Sequence, residues 1–294
     1  MRNVFDEMKG IFSNKSQAVT QIILVNVLVF AFLFFFRLLA SFSDDGQASY
    51  AYMLRWLELS APIHDFILKP WTLVSYMFVH TGVFHILFNL IALYWFGTLL
   101  QDFIGVGKFK SIYFLGGIIS GVLYLSVYNL LQYNDIGQVQ PRLIGSSAAI
   151  YAVMFAAATL IPDYEFFFFQ RFAVKLKYLA WAALLFSFLD ASSGLSHAGG
   201  ALVGFGYVSL LKRGIDLAYP FHAFLRVFKR KPATRKTEKS FVSNRRINSL
   251  FNEKSPFPDQ DEVDSILDKI SKSGYESLSK DEKHKLYLAS QRKD

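Results

Sequence analysis

With 294 residues, 53% of them hydrophobic, 31 Phe and no Cys, and a mean hydropathy of +0.29, the chain is too apolar for an ordinary soluble domain. The lack of Cys excludes a disulfide framework and any thiolate nucleophile or thiolate metal site. The formal charge of +8 is concentrated in one segment, 212–254, which reads as an orientation signal with attraction to anionic lipid rather than as a nucleic-acid surface.

A spanning helix needs roughly 20 mostly apolar residues, and five stretches between charged side chains are long enough: 16–36, 70–101, 111–134, 143–162 and 191–211. A sixth, 172–189, reaches that length if Lys175 and Lys177 snorkel toward the headgroups. In chain order, a polar lead-in (1–15) precedes the first apolar stretch, which has the length of a retained anchor rather than of a cleaved signal. A long connection, 38–69, carries SYAYMLRWLELSAPIHDFIL, amphipathic and aromatic, as suits a membrane interface. The remaining spans complete an all-α, six-helix membrane domain over 16–213. With the N-terminus inside, the inner segments 1–15, 102–110, 163–177 and 212–254 hold 3, 2, 3 and 12 Lys or Arg, and the outer connections only Arg37, Arg55, Lys69 and Arg142. Both termini are therefore expected in the cytosol, and a bacterial plasma membrane is the expected location.

Beyond residue 213 the composition changes. A basic flexible linker is expected over 214–258 and a small helical tail over 259–294, whose partner the sequence does not name. Val263, Ile266, Leu267 and Ile270 recur at helical spacing, Gly274 is placed to end that helix, and Ser279 to Glu282 has the spacing of a capping box.

Polar groups in spanning segments are costly and mark candidate sites. His80, His85 and Asn89 fall in the second span, Ser147 at the start of the fourth and His197 at the start of the sixth. With alternating spans, all five residues lie in the same outer part of the membrane. Ser147 opens a helix, where backbone N–H groups lack intrahelical acceptors and can face an anion. Small residues at Ala148, Ala152 and Ala156, and Gly200-xxx-Gly204 on the last span, give two flat faces for close helix approach. Such an approach would bring His197 within reach of the Ser147 hydroxyl. His85 and Asn89, four residues apart on one face, can donate together to an oxyanion. Singly these signals are weak, since a Ser at a helix start is most often an N-cap and GxxxG is common in membrane helices; their joint depth gives them weight. No metal is expected, because no carboxylate or thiolate joins the His pair and a helical i, i+5 spacing points the two imidazoles about 140° apart.

HTGVFHILFN (80–89), GSSAAIY (145–151) and SHAGGALVG (196–204) resemble, in order and placement, the three signature blocks of the rhomboid intramembrane serine proteases, and the resemblance covers about 16–213. It implies Ser147 as nucleophile, His197 as general base and acid, and His85, Asn89 and the Ser147 N–H as the oxyanion hole. It also implies Tyr151 packed on the imidazole, His80, Gly145, Gly200 and Gly204 in support, and no cofactor. Three positions depart from the family pattern: Ala148 replaces Gly after the nucleophile, Thr72 replaces Arg after Trp71, and Gln101 replaces Glu late in the second span. Ala148 either narrows substrate access or tightens helix packing. The implied reaction is hydrolysis of transmembrane segments of membrane proteins near the outer leaflet, through an acyl-enzyme. Asp190 reads as a loop residue rather than a third acid. An inactive rhomboid-like protein that binds transmembrane helices is the alternative, and a proton-relay transporter fits poorly because the spans hold almost no carboxylate.

Overall fold

The computed structural model of the chain describes residues 11, 17–133, 142–168, 172–218 and 260–290. Most of the expected lead-in and of the expected linker lies outside these residues. The chain divides into two units, residues 1–231 and 232–294.

In the first unit, α1 (Ala18–Ala40) is a run of aliphatic and Phe side chains that ends at Arg37 and Ser41. Large apolar side chains such as Phe32, Phe34 and Phe35 point outward, and Ala18, Val19, Ile22, Asn26 and Leu33 inward. The connection then forms α2 (Gly46–Leu54), the short strand β1 (Leu59–Ser60), α3 (Ile63–Leu68), α4 (Thr72–Ser75) and a 3-10 turn at Tyr76–Phe78. Helices α5 (Val83–Ile104) and α6 (Val106–Tyr133) are separated by Gly105 alone, at φ +82°, a value that favours glycine. Strand β2 (Arg142–Leu143) leads into α7 (Ser147–Leu160). A hairpin of β3 (Glu165–Phe168) and β4 (Phe172–Lys175) precedes α8 (Leu176–Ser187), and α9 (Ala191–Lys212) completes the bundle.

The unit is a helical membrane protein. Ala18–Ala40, Val83–Ile104, Val106–Gln132 and Ser193–Lys212 are long and apolar enough to cross a bilayer, while Ser147–Leu160 and Leu176–Ser187 are apolar but shorter. The six spans read from the sequence thus become four of spanning length and two short ones. Two local causes account for this. Residues 142–146 are spent on an extended approach to α7, and 172–175 pair with β3 rather than starting a helix. Lys175 and Lys177, expected to snorkel, are instead held by Asp163 at 3.2 and 2.8 Å.

Helix α7 is the centre of the bundle: of residues 148–157 all but Tyr151 are buried. It packs against α9, α6 and α5. A Cβ on Gly200 would stand 2.0 Å from the Ala148 carbonyl oxygen, and one on Gly204 would stand 2.0 Å from that of Ala152. Successive turns of the two helices therefore meet in parallel register, backbone against backbone, at a separation only glycine permits.

In the second unit, α10 (Gln260–Ser273) and α11 (Lys280–Ser290) are joined through a 3-10 turn at Tyr275–Ser277. Gly274, at φ +76°, ends α10. Ser279 and Glu282 exchange the reciprocal bonds of a capping box: the Ser279 N–H donates to Glu282 Oε2 at 2.7 Å, and the Glu282 N–H donates to Ser279 Oγ at 3.3 Å. Lys269 bonds both oxygens of Glu282, and Lys285 pairs with Glu262, over buried Ile266 and Leu278.

Gly200→Ala is expected to destabilise the bundle by about 3 kcal/mol or more, at the upper end of overpacking costs, because the obstacle is backbone. Gly206→Ala on the same helix, where a Cβ meets nothing within 4 Å, should shift stability by less than about 1 kcal/mol; thermal unfolding in detergent compares the two. In the tail, the Lys269 ammonium and the bonds from Ser279 hold the Glu282 carboxyl down at about 2. A depressed carboxyl stabilises the fold above the unfolded value and loses that effect as pH falls through the folded one. Hydrogen exchange of residues 280–290 in the whole protein, corrected for intrinsic rates, should therefore be faster in Glu282→Gln at pH 7, with the difference from wild type vanishing between about pH 4 and 2.

Candidate active site

Five elements converge at the end of the bundle where α5, α7 and α9 begin. The approach to α7 is fixed first. Leu59 pairs with Leu143 and Ser60 with Arg142 across β1 and β2, and the Gly145 N–H donates to the Tyr76 carbonyl at 2.9 Å. Gly145 lies at φ +107°, and a Cβ there would come within 2.9 Å of the His85 ring. Both facts require glycine, and the resulting turn presents Ser147 as the first residue of α7. The Ser147 N–H, which opens the helix, has no acceptor among the described residues.

The close packing of α7 on α9 then places His197 Nε2 2.7 Å from Ser147 Oγ. The imidazole lies flat on the Tyr151 ring, with centroids 4.2 Å apart and planes 13° apart. Tyr151 in turn donates its hydroxyl to the Ala183 carbonyl of α8 at 2.8 Å. His197 Nδ1 is buried and faces no protein acceptor among the described residues. Asp190 does not serve it: its Oδ2 accepts from the N–H and O–H of Ser193, which makes Asp190 the N-cap of α9. An unencumbered imidazole nitrogen against a hydroxyl is an arrangement that can take up the hydroxyl proton.

His80 is not in the second helix, as the spacing suggested. It precedes Val83, the first residue of α5, because the 3-10 turn and the extended Val79 redirect the chain. The helical argument that set its ring about 140° from that of His85 fails with it, and the two rings meet edge to face at 5.0 Å. Asn89 directs Nδ2 to His80 Nε2 at 3.1 Å. No group of three His, Cys, Asp or Glu placed to hold a metal ion occurs among the described residues.

The family departures have local explanations. Ala148 is buried and its carbonyl lies against Gly200, so its methyl group belongs to the helix packing rather than to an access path. Thr72 is buried and donates to the Lys69 carbonyl at 2.6 Å. Beside it Trp71 stacks on Trp56 with planes 5° apart and donates to the Trp56 carbonyl. Gln101 is twelve residues beyond Asn89 on α5, about 18 Å along the axis.

Two contacts escaped the sequence reading. Ser146, to which the sequence reading gives no role, is fully buried with Oγ 3.3 Å from His80 Nε2. Glu58, also buried, pairs with Arg142 at 3.4 Å, bracing the β1–β2 bridge. Neither has a local sequence signal, since the partners are 66 and 84 positions apart.

Comparison with known families comes to the same place. The Rhomboid domain family matches residues 68–214, half of the chain. The chain belongs to the rhomboid family. Residues 247–292 match a further family of unknown function (DUF6576). Among curated rhomboid relatives, "Rhomboid-like protein 14, mitochondrial" of Arabidopsis thaliana is 30% identical over 138 residues, 45% of this chain and 41% of the relative. "Rhomboid protein 1, mitochondrial" of Saccharomyces cerevisiae is 26% identical over 162 residues, 52% and 45%. "Rhomboid-related protein 1" of Caenorhabditis elegans is 31% identical over 163 residues, 48% and 40%. The chain spans less than half the length of each of these rhomboid proteins.

Burial pushes the Glu58 carboxyl above the usual carboxylate range, against the pull of Arg142, Arg55 and Lys69. A carboxyl with a raised folded value binds its proton more tightly in the fold, so its contribution declines as pH rises through that value. Glu58→Gln should remove this decline and leave the protein at least as stable at pH 8 as wild type. Arg142→Ala, which strands a buried carboxylate, should lose about 1–3 kcal/mol at neutral pH, and the double variant should recover most of it. Unfolding midpoints measured from pH 5 to 8 check all three.

Proposed function

We propose that this rhomboid is an intramembrane serine endopeptidase working through Ser147 and His197. The observation that carries the reading is the 2.7 Å approach of His197 Nε2 to Ser147 Oγ.

In this mechanism His197 accepts the hydroxyl proton as Oγ attacks the scissile carbonyl. The tetrahedral oxyanion forms near the Ser147 N–H, with His85 and Asn89 as side-chain donors. The imidazolium then gives its proton to the leaving amine, leaving an acyl-enzyme on Ser147. Water, deprotonated by the same imidazole, releases the acid product. Two polarised groups suffice: the Tyr151 ring holds the imidazole from one face, a task that in other serine hydrolases falls to a carboxylate. The substrates on this reading are transmembrane segments of membrane proteins, which must unwind to expose a peptide bond where water can follow.

Both termini lie in the cytosol in this proposal, because Lys and Arg crowd the segments at the other end of the bundle, and the basic stretch after residue 213 meets anionic lipid headgroups. A bacterial plasma membrane remains part of the proposal; two of the three relatives above carry mitochondrial names.

The test is cleavage of a single-pass membrane substrate by the purified chain in liposomes, with Ser147→Ala and His197→Ala alongside. Each substitution should lower the rate by roughly 10³-fold or more, and a fluorophosphonate probe should label wild type but not Ser147→Ala. A folded wild type that neither cleaves nor takes the label would instead be a non-catalytic binder of transmembrane helices.

A further inference from the structure

A set of buried polar side chains lies behind the Ser–His pair and takes no part in the mechanism above. It begins on α1 with Asn26, which is 0% exposed and donates through Nδ2 to its own helix at Ile22. Tyr113 of α6 is also 0% exposed, and neither its hydroxyl nor the Asn26 Oδ1 has a hydrogen-bond partner among the described residues. Ser146 stands next to Ser147 in the chain and faces away from it, toward His80: its Oγ lies 3.3 Å and its N–H nitrogen 3.4 Å from His80 Nε2. The same nitrogen receives Asn89 Nδ2 at 3.1 Å.

The backbone N–H of Ser146 can only donate, and it defines the state of that ring. His80 Nε2 must carry its lone pair, so the ring proton is on Nδ1. With Nε2 as acceptor, the Asn89 amide is fixed with its NH₂ toward His80, and its second N–H is left to serve another acceptor. Were the Nε2 proton present, the Asn89 side chain would turn over and offer its oxygen instead. With Nε2 as acceptor the Ser146 hydroxyl also donates to it, and in an apolar interior such groups are less costly together than alone. His80 also sets the second donor, because its ring abuts that of His85, which is confined on its other side by Gly145.

We propose that Ser146 is a positioning residue for the oxyanion site, acting through His80 to hold Asn89 with an N–H facing the reacting carbonyl. The inference rests on the protease reading. It differs from a purely structural role, in which the same hydrogen bonds would hold helices together without any bearing on turnover.

The experiment uses the whole chain in liposomes with a single-pass substrate, and measures kcat and KM separately for Ser146→Ala. Ser126→Ala, an exposed hydroxyl that bonds its own helix at Val122, serves as the control. Loss of positioning should lower kcat roughly tenfold with KM within twofold, and Ser126→Ala should leave both constants unchanged. Fluorophosphonate labelling of Ser147 should slow in parallel, since it passes through the same tetrahedral geometry. A kcat within twofold of wild type in Ser146→Ala, or a loss that falls wholly in KM, overturns the proposal. Imidazole nitrogen NMR of the wild-type protein gives an independent reading that needs no variant to fold: His80 with its proton on Nδ1 supports the proposal, and a proton on Nε2 overturns it. A wild type that neither cleaves nor labels while folded removes the protease reading and this inference with it, whereas a wild type that cleaves alongside an unaffected Ser146→Ala removes this inference alone.

Discussion

Everything at the candidate site depends on how near α7 and α9 come to one another. Gly200 and Gly204 lie directly against the carbonyl oxygens of Ala148 and Ala152, so the separation of the two helices is set by main-chain atoms. Ser147 and His197 are carried one turn or less from these contacts, Ser147 as the first residue of α7 and His197 on the second turn of α9. The hydroxyl and the imidazole therefore meet without either side chain reaching. A lipid-embedded bundle has little hydrophobic gain from helix association, and main-chain contact of this kind supplies dispersion and close packing in its place.

A second constraint acts from outside the helices. The connection between α1 and α5 is longer than any loop needs to be, and it is tied down at several places: the Trp56–Trp71 stack, the Ser75 hydroxyl on the Leu57 carbonyl, the Asn129 amide on the Ala61 carbonyl, and the Glu58–Arg142 pair. The last of these braces a bridge that is three residues from the glycine turn into Ser147. Folding of the connection and presentation of the serine are thus one event, which explains why a buried carboxylate is tolerated where it is.

The spacing of polar and small residues made much of this readable beforehand. Ser147, His197 and the Gly200-xxx-Gly204 face are local patterns whose depth follows from counting spans, and the capping box at Ser279 is a four-residue signal. His80 was misplaced because an apolar run gives no sign of where a helix starts; the 3-10 turn at Tyr76–Phe78 is set by tertiary bonds to Gly117 and Gly145. Residues 172–175 read as the start of a span because an apolar strand and an apolar helix have the same composition, and only the pairing of Glu165 with Lys175 separates them. Ser146 and Tyr113 had no signal beyond their burial. Asn26 did: a lone amide in a span of aliphatic and Phe residues implies a partner, though not which one.

The Tyr151 hydroxyl has a mechanical consequence. Helix α8 is attached to the bundle by Leu176, Ala180 and Leu184 and otherwise turns Tyr178, Trp181, Leu185 and Phe186 outward, which leaves it more lightly anchored than α7. The same helix holds Tyr151 through the Ala183 carbonyl at 2.8 Å, and Tyr151 holds the imidazole. A shift of α8 by about 1 Å stretches that bond beyond the hydrogen-bonding range and frees the phenol ring to rock. The tilt of the His197 ring and the seating of α8 are therefore a single degree of freedom, and the flank of the molecule cannot loosen at α8 without slackening the support beneath the imidazole.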